Sequence, residues 1–197
     1  MKRQLLGVAA FMLALSAHAQ DNQLWMRYCA ISPDGTSIAF TYKGDIYTVP
    51  VNGGKAAQIT TNAAHDTHPV WSPDGKQIAF ASDRMGSMDI FVVDREGGIP
   101  KRLTTHSGNE TPVAFKDADH ILFLANVMPS AEDAQFPSGQ FQQVYEVSTT
   151  GDRPVMFSSM PMEDISINKT GNALLYHDKK GYEDPWRKHH TSSITRD

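Results

Sequence analysis

A single cysteine, Cys29, stands in a chain of 197 residues. A lone thiol closes no internal disulfide, so covalent staples are excluded as a source of stability. Positive charge is also in short supply. Eighteen Lys and Arg against 22 Asp and Glu leave a net −4, which argues against a nucleic-acid partner bound by phosphate neutralisation. Beyond the N-terminus no run is apolar enough to read as a membrane span. No long stretch keeps a helical period. Gly-x-Ser-x-Gly, His-Glu-x-x-His, the P-loop and the dinucleotide fingerprint are all missing from the sequence. No catalytic residue, cofactor or metal is therefore expected in this chain.

The N-terminus has the layout of a signal peptide. Lys2 and Arg3 supply positive charge, Leu5 to Ser16 form an apolar run, and Ala17-His18-Ala19 offers the small-x-small pattern of a cleavage site. The expected cut falls between Ala19 and Gln20. Residues 1–19 are set aside from the fold, and the mature chain is predicted to be soluble and exported, periplasmic or secreted.

What is abundant is repetition. Ile31-Ser32-Pro33-Asp34-Gly35-Thr36-Ser37-Ile38-Ala39-Phe40 returns 40 residues later as Trp71-Ser72-Pro73-Asp74-Gly75-Lys76-Gln77-Ile78-Ala79-Phe80. Asp45-Ile46-Tyr47 returns as Asp89-Ile90-Phe91, Gly53-Gly54 as Gly97-Gly98, and Ile59-Thr60-Thr61 as Leu103-Thr104-Thr105, all at an offset of 44. Pro112 to Asp117, Ile121-Leu122-Phe123 and Val144 to Val147 form a fainter third copy. Asp164 to Ile167 with Ala173 to Tyr176 begin a fourth.

Each copy reads as short strands rich in Ile, Val, Phe and Tyr, bounded by turn residues. Pro-Asp-Gly joins the first strand to the second: proline presets φ, Asp bonds back to the backbone and Gly accepts positive φ. Gly-Gly joins the third strand to the fourth. Four antiparallel strands per repeat of this length is the signature of a β-propeller blade. The expected fold is all-β, an incomplete propeller over residues 20–197. Its blades fall near 25–62, 63–106 and 107–158, with an unfinished one at 159–197. The third copy carries an insertion between Asn126 and Gln142, and the fourth another between His177 and Arg196. Asp197 stands where the third strand of the fourth copy would begin, so the chain is expected to be the N-terminal part of a longer protein.

Several residues invite a site assignment beside a structural one. Ser72 and Asp74 fit hairpin turns. Arg84 in Ser82-Asp83-Arg84 could bind an anion, but Asp83 and Arg84 are expected to make inter-strand hydrogen bonds and an ion pair. His65 and His68, with His106 at a similar position in the next copy, lack the third ligand a metal needs, so hydrogen-bonded or solvated rings are expected. His189-His190 beside Arg187 and Lys188 could meet a peptide carboxylate or simply be solvated. Cys29 takes the position of Pro69 and Pro112, where a small half-buried residue is expected and a nucleophile is not. Asn109-Glu110-Thr111 and Asn168-Lys169-Thr170 fit the glycosylation pattern, which arises easily by chance.

The string from Ser72 to Val93 resembles the repeat of TolB-like and tricorn-like propellers. Leu24-Trp25-Met26-Arg27-Tyr28, Met128-Pro129-Ser130-Ala131-Glu132-Asp133 and Gly181 to His190 are similar to segments of bacterial tricorn-type serine peptidases. That resemblance implies an exported peptidase whose propeller filters or channels peptides towards PDZ-like and serine catalytic modules outside this sequence. The expected partners are peptides or proteins and the rest of the parent chain. Two other readings stay open: a TolB-like envelope binding module, and the propeller of a prolyl-oligopeptidase-like enzyme.

Overall fold

The computed structural model describes residues 25–126, 142–158, 160, 162–168 and 170–178, and within them there is no helix. The first sheet is β1 (Arg27–Ile31), β2 (Ser37–Tyr42), β3 (Asp45–Pro50) and β4 (Ala57–Gln58); the second is β5 (Asp66–Trp71), β6 (Gln77–Ser82), β7 (Asp89–Asp94) and β8 (Lys101–Arg102). The third is β9 (Glu110–Phe115), β10 (His120–Ala125), β11 (Gln143–Ser148) and β12 (Val155–Ser158), and β13 (Met162–Ile167) pairs with β14 (Leu174–Asp178). Every sheet is an antiparallel meander in sequence order. Three blades and two strands of a fourth therefore lie in chain order, and the fold is the incomplete all-β propeller that the repeat predicts.

The turn chemistry accounts for the repeat. Asp34 Oδ1 accepts from Ser32 Oγ at 2.6 Å and from the Thr36 amide at 3.0 Å, while Asp74 Oδ1 accepts from Ser72 Oγ at 2.7 Å and the Lys76 amide at 3.0 Å. Gly35 and Gly75 follow with φ of 70° and 69°, the left-handed region that favours glycine. These bonds lower the Asp74 carboxyl below its usual range and hold Asp34 at about 2, the serine hydroxyl being the largest cause in each case. Ser72 and Asp74 are hairpin residues.

Alternation along each strand divides the core between neighbouring blades. Ile78 and Phe80 of β6 join Ala39 and Ile46 in one cluster between the first and second blades. Ala79, from the opposite face, joins Ile121 and Phe123 between the second and third. Leu122 points the other way, to Val144 and Met162, where the fourth blade begins. Equivalent cross-strand ring pairs recur: Phe40 with Tyr47, Phe80 with Phe91 and Phe123 with Tyr145, at centroid distances of 5.9, 6.0 and 5.7 Å. A second repeated bond ties each outer segment inward. Thr60 Oγ1 accepts from the Ile46 amide at 2.9 Å, and Thr104 Oγ1 from the Ile90 amide at 2.8 Å.

Cys29 departs from expectation, being exposed rather than half-buried. Pro69 and Pro112, its counterparts, are buried. Their strands β5 and β9 each pack against a preceding blade, whereas no described blade precedes β1. The sequence copies matched, but the neighbours did not.

Candidate functional site

The first strands of the sheets, β1, β5, β9 and β13, are neighbours in that order. They enclose a cleft along the propeller axis. At the end carrying the Pro-Asp-Gly turns its volume is about 470 Å3, with Ile31, Trp71, Phe115 and Ile167 among its walls. At the opposite end a second mouth of about 460 Å3 is lined by His68, Thr111, Gln142, Glu163 and Asp164.

The backbone of these strands is shaped for display. β1, β5 and β13 each carry a bulge, with Tyr28, His68 and Asp164 at φ of 54°, 53° and 49°. Non-glycine residues rarely adopt such angles, which cost on the order of 1–3 kcal/mol each. Three of them share one register position, and two of the three, His68 and Asp164, line the second mouth. The Tyr28 and His68 rings meet across the first two blades with centroids 3.7 Å apart. Thr67 Oγ1 lies 3.1 Å from His68 Nδ1, and burial, aided by the His65 charge, lowers the His68 pKa, so the ring is neutral at pH 7. His177 Nδ1 sits 2.8 Å from Asp164 Oδ2 on the far side. His68, backed by the Tyr28 ring, and Asp164, paired with His177, thus stand on two walls of one mouth, an arrangement of polar groups that suits binding of an extended polar chain.

The remaining candidates resolve into structural roles. Arg84 does form an ion pair, but with Asp66 rather than Asp83. Its Nη2 donates to both Asp66 carboxylate oxygens at 2.9 Å, its Nε to Ser82 Oγ at 2.8 Å, and its guanidinium lies over Phe91, 4.5 Å from the centroid. Asp83 accepts the His65 amide at 2.7 Å. His106 Nδ1 accepts the Gly108 amide at 2.9 Å, closing its own loop. Among the described residues no three His, Cys, Asp or Glu converge on a metal position. Asn109 and Asn168 are exposed and act as acceptors, Asn109 Oδ1 from the Met88 amide of the second blade and Asn168 Oδ1 from the Asn172 amide within its own turn. The signal-peptide residues, most of both insertions and the patch Arg187 to His190 lie outside the described residues. The bulge register at Tyr28, His68 and Asp164 was not foreseen. Its one sequence trace is that each is the second or third residue of a first strand.

Residues 23–196 match the family described as the tricorn protease N-terminal beta propeller domain. The chain belongs to that family. It is 37% identical over 87 residues to "Tricorn protease homolog 1" of Streptomyces coelicolor, covering 44% of this chain and 8% of the relative. It is 31% identical over 108 residues to "Uncharacterized peptidase YuxL" of Bacillus subtilis, covering 49% and 16%. Among solved structures, TolB from Acinetobacter baumannii superposes with a TM-score of 0.60 at 25% identity, over 80% of this chain and 38% of that one. The tricorn-type propeller thus matches only a small part of the length of these curated relatives. Among its described residues no helix is long and apolar enough to cross a membrane.

Proposed function

We propose that this tricorn-type propeller is a non-catalytic segment of an exported serine peptidase, and that its axial cleft guides peptides towards a catalytic domain outside this sequence. The observation that carries the reading is the family match over residues 23–196, joined to a cleft whose strained first strands present His68, with the Tyr28 ring against it, and Asp164. Two curated relatives named as a protease homolog and a peptidase support the same direction. Export rests on the signal-peptide pattern, with residues 1–19 removed and the propeller occupying 20–197. Mass measurement of the mature protein tests that cut.

The functional test uses the full-length protein. Replacing Tyr28 and His68 with alanine should lower kcat/KM for long peptides several-fold and leave a short chromogenic substrate unaffected. Equal loss on both substrates would overturn guidance. Labelling of the present polypeptide by an active-site serine probe would overturn its non-catalytic role. The TolB superposition favours a second reading, a docking ring for envelope proteins. In that case the full-length protein binds a protein partner and hydrolyses no peptide.

A further inference from the structure

We propose that the seam between the second and third blades is a proton-operated joint: Glu110, buried against Thr104 next to the Asp89–Arg102 pair, carries a proton, and its loss loosens the seam. Both carboxyl groups are buried, Asp89 at 0% and Glu110 at 1% exposure. Glu110 opens β9 of the third blade, and its amide donates to the Met88 carbonyl of the second at 2.8 Å. Its carboxyl is hydrogen-bonded to the Thr104 hydroxyl, the same hydroxyl that accepts the Ile90 amide. Arg102 Nη2 lies 2.7 Å from Asp89 Oδ2. The charged and titratable groups facing Glu110 are therefore Asp89 from β7 and Arg102 from β8, with His106 acting on Asp89 from the segment after β8.

Two buried carboxylates beside one guanidinium leave an excess negative charge when both ionise, and a buried excess charge is costly. Burial raises both groups. For Asp89 the rise is offset in part by Arg102, and Glu110 reaches about 7, with the Asp89 charge adding to the effect. The preceding seam is built differently. Asp66 occupies the position of Glu110 one repeat earlier, and Arg84 arrives to match it one for one. In the third repeat the residue two positions past the end of β10 is Val127, so the sequence supplies no arginine in that register. Glu110 adjoins Thr111, which with His68 lines one mouth of the axial cleft. Loosening this seam would therefore change the width of that mouth.

The test is amide hydrogen exchange on the full chain, corrected for the intrinsic pH dependence of exchange. Protection of the Ile90 and Glu110 amides should fall about tenfold or more from pH 5 to pH 8, one pKa unit being a tenfold change. Protection of the Asp66 amide, which bonds the Gly44 carbonyl across the other seam, should stay within about twofold. In Glu110→Gln, which keeps the shape without the titration, the fall at Ile90 should vanish. A wild-type protein with no fall, or a Glu110→Gln protein with an equal fall, would overturn the joint. Should Glu110→Gln fail to fold, 13C titration of the wild-type glutamate carboxyls decides. A buried glutamate titrating above pH 6 supports the proposal; all glutamates titrating in the ordinary range refute it.

Discussion

Arg84 gives the sharpest test of how these blades are held. Its partner Asp66 has a fully buried side chain, and the Arg84 side chain is only 11% exposed. Replacing Arg84 with alanine removes both bonds to the carboxylate, the bond to Ser82 and the contact over Phe91. The Asp66 charge is then left buried and unpaired, and breaking a buried pair from one side costs about 3–5 kcal/mol. The cation–π contact contributes up to about 2 kcal/mol on its own, but it vanishes with the same atoms and does not add in full. A net loss of about 3–4 kcal/mol is expected. At about 2–4 °C per kcal/mol for a chain of this size, Tm should fall by roughly 6–16 °C. Thermal and urea unfolding at pH 7 read this directly. The double replacement Asp66→Ala with Arg84→Ala should cost about 2 kcal/mol less than the two single losses summed, because it leaves no orphaned charge. Moderate salt should change little, since the pair is shielded from solvent ions. A single-variant loss below about 1 kcal/mol, or strict additivity in the cycle, would refute the assignment of Arg84 as the clamp of this blade.

Trp71 Nε1 donates to the Ala30 carbonyl of the preceding blade at 3.0 Å, so Trp71→Phe should cost about 1–3 kcal/mol by urea unfolding, from the lost bond and lost volume. Gly171 has φ of 71°, and a Cβ there would collide with the Lys116 carbonyl of the third blade. Gly171→Ala should therefore destabilise the packing of β13 and β14 by roughly 1–3 kcal/mol, read as faster amide exchange in β14. The turn carboxylates set the acid limb. Because Asp34 and Asp74 titrate below their unfolded value of 3.8, their contribution is present above that pH and lost as pH falls towards 2. Asp34→Asn with Asp74→Asn should flatten the fall of Tm between pH 4 and pH 2, and an unchanged slope would remove these turns from the account.

Bonds within a blade are legible in the sequence because they recur in it. Ser-Pro-Asp-Gly encodes its own hairpin: Ser72, Asp74 and Gly75 are a few residues apart, and the bonds between them need no other part of the chain. The alternation of Ile78, Ala79 and Phe80 gives the strand, and the offset of 44 gives the next blade. Nothing in that arithmetic says which blade a side chain meets. Asp66 and Glu110 are equivalent by offset, yet Arg84 reaches the first, while the second is bonded to Thr104 and Arg102 pairs with Asp89 instead. Cys29 matches Pro69 by offset and differs in burial, because burial there is conferred by the preceding blade. The strained trio Tyr28, His68 and Asp164 shares a backbone position with no shared residue type, so a repeat search by residue identity passes over it. At this position the first, second and fourth repeats share a backbone geometry, and the side chain placed there varies. On the axial face three of the four first strands agree in φ at this position while differing in chemistry, and β9 carries no such residue. Such divergence under constant geometry is expected of a surface that is asked to contact something, whereas a face needed only for packing would repeat its residues as the Phe80–Phe91 and Phe123–Tyr145 pairs do.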